Sequence, residues 1–301
     1  MANFTLRQLR YFEALSRFRH FGHAADACAI SQPALSVQIK ELEQSLGVAL
    51  FERSARSLRL TSFGETWLER VREILRNVDE LSELARAAQS GFAGRLRLGV
   101  IPTIAPYLLP SLIGALRNSH PQVSLDVRET LTERLIEELT DGRIDAAIVA
   151  LPIDVAMIAE MPLFVEKLML VRHVKERQKP VPTPENLHEM RLLMLEQGHC
   201  FRDQAFAFCN LKTSARRDGL DGSSLSTLVQ MVGAGIGVTL IPEMAVTVET
   251  RNAPVTAGRF PEPQPERTVG LIWRRTNPLA DQFRELGKEI MAVAGAMDKP
   301  S

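Results

Sequence analysis

Apolar residues recur at helical spacing through the first 60 residues of the chain. The segment from about 5 to 18 has an apolar residue at every third position, which predicts a helix with one buried face. A short alanine-rich helix is predicted over about 22–28. A third helix begins after Ser31, whose side chain suits an N-cap, and ends at Gly47.

The third predicted helix has two distinct faces. Its apolar stripe consists of Leu35, Ile39, Leu42 and Leu46. At about 100° per residue, the opposite face consists of Pro33, Val37, Lys40 and Gln44, with Ser36 at its flank. A small, polar and singly basic face fits the major groove of DNA.

A basic hairpin is predicted after the third helix. Arg53, Arg56 and Arg59 recur every third residue among small or apolar neighbours, where they would reach phosphates or the minor groove. Helix, short helix, capped helix and hairpin together indicate a winged helix-turn-helix. A three-helix module that binds another protein is the alternative.

A long helix is predicted from about residue 62 to 90, a stretch without proline. Its apolar residues follow a heptad pattern of Val71, Ile74, Val78, Leu81, Ala85 and Ala88. Such a stripe favours pairing with the same helix of a second chain. The alternative is a helix packed on its own effector domain. Gly91 and Gly94 then predict a hinge.

Strand and helix patterns alternate from residue 95 onward, which predicts a parallel α/β sheet. Ligands bind such sheets at the carboxyl ends of strands. Thr103 follows the first of these strands, and Thr132 begins the second helix. Motifs for phosphate, dinucleotide or zinc binding and for a serine nucleophile are absent from the sequence, so no cofactor and no metal site are expected.

Composition and charge narrow the class of protein. The chain has 301 residues, which suggests about two domains, with 36 basic and 36 acidic side chains. Residues 1–60 hold eight basic and five acidic residues, a local excess of +3. Three cysteines are too few for a secreted disulfide framework. Without a signal peptide or a long apolar run, a cytoplasmic protein without membrane contact is expected.

Two of the cysteines stand in a segment with helical spacing. Phe201, Ala205 and Phe208 share one face, so the chain between Cys200 and Cys209 can form a helix. Nine residues of helix span about 13.5 Å along the axis, whereas a disulfide needs Cα atoms within about 4.4–6.8 Å. The two cysteines can therefore bond only if the helix unwinds, which has the form of a switch.

Cys200 is the expected nucleophile of this pair. It stands at the predicted start of the helix, directly after a Gly-His pair and two residues before Arg202, and such surroundings favour the thiolate. The expected course is oxidation of Cys200 to a sulfenic acid, followed by attack of Cys209. Taken alone, the segment also fits two structural cysteines.

The stretch AADACAISQPALSVQIKELEQSLGVALFER resembles the DNA-binding signature of LysR-type transcription regulators. The resemblance implies that the helix starting at Ser31, Gln32 and Pro33 reads the major groove, and that Arg53 approaches the backbone. It implies a dimerising linker helix and a two-lobed α/β effector domain like that of periplasmic binding proteins. The expected boundaries are residues 1–61 for DNA binding, 62–91 for the linker and 95–301 for the effector domain. Lobe one is expected at about 95–165 plus 267–301, and lobe two at about 166–266.

The segment GHCFRDQAFAFC further resembles the peroxide-sensing OxyR subfamily of these regulators. IPTIAPYLLP, MPLFVEKLMLV, SLSTLVQMVGAGIGVTLIP and ERTVGL agree with it. The resemblance implies a peroxidatic Cys200 and a resolving Cys209. It implies a peroxide pocket formed by His199, Thr103, Thr132, Asp203, Gln204 and Arg267. The chain departs from the subfamily at Ala146, where some members have a cysteine, and over residues 212–222.

The sequence thus predicts a regulator, not an enzyme, that binds double-stranded promoter DNA and responds to hydrogen peroxide through a Cys200–Cys209 disulfide. Its expected partners are copies of itself, a dimer through the linker helix and a tetramer by resemblance, with RNA polymerase as a further candidate. Two alternatives are a regulator that binds a small organic inducer between the lobes and a thiol peroxidase.

Overall fold

The computed structural model describes residues 4–54, 57–87, 94–183, 187, 190–208 and 221–297. The chain divides into two compact units, residues 1–85 and 86–301. No helix within the described ranges is both long and apolar enough to cross a membrane.

The first unit contains three helices, a hairpin and most of a long fourth helix. Its elements are α1 (Leu6–Phe18), α2 (Phe21–Ala27), α3 (Gln32–Leu46), β1 (Phe51–Ser54), β2 (Ser57–Leu60) and α4 (Ser62–Ala87). The two strands are antiparallel. The predicted winged helix-turn-helix is confirmed, with α2 starting one residue earlier than expected.

The core of the first unit explains why these helices form. The Ser31 hydroxyl accepts a hydrogen bond from the Ala34 amide and caps α3, as predicted. Leu35, Ile39 and Leu42 are fully buried. Aromatic rings of Phe51 and Trp67 lie 5.4 and 5.0 Å from the ring of Phe12, so the hairpin and α4 both close over α1.

The start of α4 belongs to this core. Val71 is fully buried there, although the heptad pattern assigned it to a surface shared with a second chain. Further along the same stripe, Ile74 and Leu81 expose 42% and 64% of their surface. The start of the apolar stripe therefore packs in the core of its own unit, whereas the residues further along it are exposed to solvent.

The second unit is a mixed α/β structure. Its helices are α5 (Ala105–Ser119), α6 (Thr132–Thr140), α7 (Cys200–Phe208), α8 (Leu225–Gly233), α9 (Glu243–Glu249) and α10 (Ala280–Met297). Its strands are β3 (Gly94–Val100), β4 (Val123–Glu129), β5 (Ala146–Leu151), β6 (Ile158–His173), β7 (Leu192–Leu193), β8 (Val238–Pro242), β9 (Val255–Arg259) and β10 (Glu266–Arg274). The strand order is β4-β3-β5-β10-β6-β8-β7, with β9 also paired to β6.

The predicted parallel sheet is found only in part. β3 is parallel to β4 and β5, but β10 is antiparallel to both β5 and β6, and β6 is antiparallel to β8 and β9. Strand β10 comes late in the chain and inserts between β5 and β6, which lie about 90 to 130 residues earlier in the sequence. The alternation of neighbouring elements contains no information on such a distant pairing.

Strand β6 connects two hydrophobic cores. Residues 158–167 pair with β10 beside the core that contains Leu98, Ile148 and Leu271. Residues 168–173 pair with β8 and β9 beside a second core that contains Leu170, Val229 and Ile241. The proposed lobe boundaries near residues 165 and 267 stay a prediction.

Candidate functional site

Cys200 is the first residue of α7, as predicted. Phe201 and Ala205, one turn apart, are buried in the second core of the second unit. The ring of Phe208 lies 5.3 Å from that of Phe260. The apolar face read from the sequence is confirmed, and its packing fixes the orientation of α7 and hence the place of Cys200.

A small cavity brings Cys200 together with residues from distant parts of the chain. It is lined by Thr103, which follows β3, by Thr132, the first residue of α6, and by His199. Its apolar wall consists of Ile101, Pro102, Leu131 and Phe201. In this conformation the walls leave essentially no room for a molecule beside the sulfur. A ligand that binds there must be very small, and the walls must move apart to admit it.

The hydroxyl oxygen of Thr132 is buried and lacks a hydrogen-bond partner within the described part of the chain. Burying such a group without a partner costs about 1–3 kcal/mol. A polar ligand in the cavity would supply the missing hydrogen bond. This oxygen is therefore a further indication that the space beside Cys200 binds something polar.

Arg267 lies one layer behind the cavity, not on its wall. Its side chain is fully buried, and its Nη1 and Nη2 groups donate to the hydroxyl and the carbonyl of Thr103 at 2.8 and 3.0 Å. The guanidinium also lies 5.5 Å from the ring centre of Phe201. Arg267 thus contacts the wall of the cavity through Thr103 and Phe201.

Asp203 and Gln204 are not among the residues that line the cavity. Asp203 is exposed, and Gln204 is half-buried with an unpartnered side-chain oxygen among the described residues. Both stand a full turn after Cys200, about 4.5–6 Å further along the helix axis. The structure thus does not bring them to the wall of this cavity, and their part in a peroxide pocket stays a prediction.

Burial lowers the pKa of His199 below its ordinary value of 6.5, and the nearby Glu196 carboxylate only partly opposes this shift. The imidazole is therefore neutral at neutral pH. It can act as a neutral hydrogen-bonding group beside Cys200.

We expect this shift to make stability depend on pH. As the pH falls below about 6.5, the unfolded chain binds a proton at His199 that the folded protein does not. The free energy of unfolding should therefore decrease between pH 7.5 and 5.5. Urea unfolding should show a smaller decrease for His199→Gln than for the wild type, and equal pH dependences would contradict the assignment.

Gly198 has a backbone conformation that side chains rarely adopt, with φ at +101°. A Cβ at this position would lie 3.1 Å from Leu131 Cδ1, on the cavity wall. We expect Gly198→Ala to lower the free energy of unfolding by about 1–3 kcal/mol and to slow the reaction of Cys200 with peroxide.

The control for this variant is Gly235→Ala. Gly235 has φ at +78°, and nothing lies within 4 Å of a Cβ built there. Alanine at this position would therefore have the same backbone strain as in Gly198→Ala but no close contact of its Cβ. Urea unfolding and thiol kinetics on both variants separate the two causes, and equal kinetics would exclude a role for the Leu131 contact.

The guanidinium of Arg202 is bound by two neighbouring acceptors. Its Nη1 group donates to the Leu195 carbonyl at 2.6 Å and to the Asp221 carboxylate at 2.7 Å. Its charge is thus paired with a residue that stands directly after residues 209–220. Cys209, the predicted resolving residue, lies outside the described residues.

Two charged residues near the site were not predicted from the sequence. Glu166 is buried in the middle of β6 and pairs with Arg267. Its signal was an acidic residue within the apolar run MPLFVEKLMLV. Nothing in the sequence indicated Asp221, because its ion pair with Arg202 depends on the turn that precedes α8.

The predicted DNA-reading face of α3 is largely open to solvent. Ser31, Gln32, Pro33, Val37 and Lys40 are exposed, and Ser36 is half-buried. Arg53 belongs to β1, but its side chain is not described, and Arg56 lies outside the described residues.

Among the described residues, no group of histidine, cysteine or acidic side chains could hold a metal ion.

Two family models match the chain. Residues 6–65 match the bacterial regulatory helix-turn-helix protein, lysR family, and residues 89–293 match the LysR substrate binding domain. A probable hydrogen peroxide-inducible genes activator of Streptomyces viridosporus is 42% identical over 287 residues, or 94% of this chain and 92% of that protein. The DNA-binding transcriptional dual regulator OxyR of Escherichia coli K12 is 39% identical over 98% of this chain and 97% of its own length.

Among solved structures, a full-length OxyR variant from Pseudomonas aeruginosa is similar with a TM-score of 0.76. It is 37% identical, and the match covers 96% of this chain and 95% of that one. Similarity therefore extends over the DNA-binding unit and the unit that contains Cys200 alike.

Proposed function

Because this chain belongs to the LysR family of transcriptional regulators, and within it to the OxyR group, we propose that it binds DNA and regulates transcription in response to hydrogen peroxide. One observation carries the peroxide part. Cys200 shares a small cavity with Thr103, Thr132 and His199, and one of the hydroxyl groups there lacks a partner among the described residues. Hydrogen peroxide is among the smallest polar molecules and has the hydrogen-bonding groups to pair with these side chains.

The proposed chemistry begins with the thiolate of Cys200. Its sulfur attacks one peroxide oxygen, the S–O bond forms, and the O–O bond breaks. The sulfur loses two electrons, and the second oxygen leaves as water after taking up the proton of the attacked oxygen. A proton from solvent converts the sulfenate that remains to a sulfenic acid. The thiol of Cys209 then attacks the resulting sulfenic acid, which releases a second water and leaves a Cys200–Cys209 disulfide.

Helix α7 opposes this second step. Cys200 and Phe208 lie at its two ends, about 12 Å apart along the axis. One Cα–Cα step of about 3.8 Å cannot reduce this separation to the roughly 6.8 Å that a disulfide tolerates. Disulfide formation therefore requires part of α7 to unwind, which disturbs the packing of its apolar face.

The proposed DNA contact is the exposed face of α3 with the hairpin that follows it. Val37 exposes 53% of its surface, and Lys40 stands beside it as the single cation of the face. A winged helix-turn-helix places such a helix in the major groove, where side chains contact base edges.

We further propose that α4 pairs with α4 of a second chain. Exposed apolar residues on one helix stripe, Ile74 and Leu81, support this contact. A double variant, Ile74→Lys with Leu81→Lys, should be monomeric at micromolar concentration in analytical ultracentrifugation. The control, Glu73→Lys, changes an exposed position outside the stripe and should leave the dimer intact.

By membership of the family, we also propose that dimers assemble into a tetramer, that the protein works in the cytoplasm, and that RNA polymerase is a partner. Its relatives are regulators of transcription, so no enzymatic role is proposed.

Thiol titration and DNA footprinting before and after dilute peroxide test the function. The three thiols of the chain should fall to one, and the footprint should change with them. A footprint that responds to a small organic molecule with all thiols intact would favour an inducer-binding regulator. Sustained peroxide consumption with a thiol reductant and an unchanged footprint would favour a peroxidase.

A further inference from the structure

The hydroxyl of Thr103 is oriented by a chain of buried groups that ends at Glu166. Arg267 Nη1 donates to Thr103 Oγ1, so this oxygen acts as an acceptor toward the arginine. The hydroxyl proton of Thr103 then remains for a ligand in the cavity that it shares with Cys200.

Glu166 fixes the arginine in turn. Its Oε2 accepts from Arg267 Nε at 2.8 Å, and its Oε1 accepts from the Met244 amide at 2.9 Å. Only 5% of the Glu166 side chain and none of the Arg267 side chain is exposed. The guanidinium is thus held by Glu166 on one edge and by Thr103 on the other, which leaves it little freedom to turn.

We propose that Glu166 is a positioning residue for the reaction of Cys200 with hydrogen peroxide, acting through Arg267 to aim the Thr103 hydroxyl at the departing oxygen. This inference rests on the proposed function. As the Cys200 thiolate attacks one oxygen and the O–O bond breaks, the other oxygen gains negative charge. The Thr103 hydroxyl donates a hydrogen bond to it, and this oxygen leaves as water after taking the proton of the attacked oxygen. The products are a sulfenate and water, and Thr103 keeps its own proton.

A neutral amide cannot replace this carboxylate. The side chain of Gln has one acceptor oxygen, whereas Glu166 accepts from two N–H groups on two sides. In Glu166→Gln an NH₂ group would face either Arg267 or the Met244 amide. We therefore expect the Thr103 hydroxyl to lose its alignment, and misplacement of this kind can slow a reaction by up to about 100-fold.

The test compares two reactions of the same sulfur in the full-length reduced protein. Quenched-flow alkylation measures the rate of Cys200 oxidation by hydrogen peroxide, and a second series measures its alkylation by iodoacetamide. We expect Glu166→Gln to slow oxidation at least 10-fold while alkylation stays within twofold, because alkylation needs the thiolate but no aligned donor for oxygen. Loss of both rates to the same extent would indicate a merely structural role and overturn the inference.

A second comparison asks whether Glu166 acts through Thr103. Thr103→Val should slow oxidation as well, and the double variant with Glu166→Gln should be no slower than Thr103→Val alone. Additive losses would overturn the proposed route. The control is Glu249→Gln, a carboxylate of α9 that accepts from the Tyr107 hydroxyl at 2.7 Å and should leave both rates unchanged.

Should Glu166→Gln fail to fold, Glu166→Asp provides the same comparison, because it keeps the charge that balances Arg267 but has a shorter reach. We then expect oxidation to slow at least threefold, again without loss of alkylation, and an unchanged rate overturns the inference. A wild-type protein whose Cys200 does not react with peroxide would overturn the proposed function and this inference together. A reactive wild type with an equally reactive Glu166→Gln would overturn the inference alone.

Discussion

Serine in place of Cys200 should abolish the peroxide response. The variant keeps its shape, because Cys200 is only half-buried and serine is nearly isosteric with it. It lacks the sulfur that can attack an O–O bond, so its two remaining thiols should stay titratable after peroxide. DNA footprints with and without peroxide should be identical.

Cys28→Ser is the matched control. Cys28 caps the C-terminus of α2 in the other unit, and burial, together with the Glu13 carboxylate, raises the pKa of its thiol. It is therefore a poor nucleophile at neutral pH, and its replacement should leave the response intact. A Cys200→Ser protein that still changed its footprint under peroxide would show that the sensor lies elsewhere.

The second large effect is expected from Val37→Glu on the exposed face of α3. A carboxylate placed there would face the negative potential of the DNA groove, and like charges across an interface cost several kcal/mol. We expect specific DNA affinity to fall at least about 100-fold in a gel-shift titration at fixed salt. Stability should change by less than about 0.5 kcal/mol, because the residue is at the surface.

Asn77→Glu adds the same charge to an exposed position of α4 in the same unit. Its DNA affinity should remain close to that of the wild type. Should both variants bind equally well, α3 would not be the helix that enters the groove.

The sequence was most informative where function and local pattern coincide. The cap at Ser31, the buried stripe of α3 and the start of α7 at Cys200 all follow from spacing within a few turns of helix, and the structure confirms each. Thr103 and Thr132 were predicted by resemblance to a family, and they meet Cys200 in one cavity.

The contacts that could not be predicted join residues that lie far apart in the sequence. The pairing of Glu166 with Arg267 joins residues 101 positions apart, and the register of β6 with β10 decides it. Asp203 and Gln204 lie outside the cavity lining for a related reason. A motif shows which residues are neighbours in sequence, but the axis of α7 decides which of them reach the cavity.

The course of β6 through two cores also limits how this chain can vary in length. Loops tolerate insertions, but a residue added or removed between Phe164 and Leu168 would shift one part of the strand against the other. Side chains would then change faces on one side of the junction only, because successive residues point to opposite sides of a sheet. Glu166 would leave its register with Arg267 as well. Homologous chains should therefore differ in length around this strand more often than between Phe164 and Leu168, which a comparison of related genomes can examine.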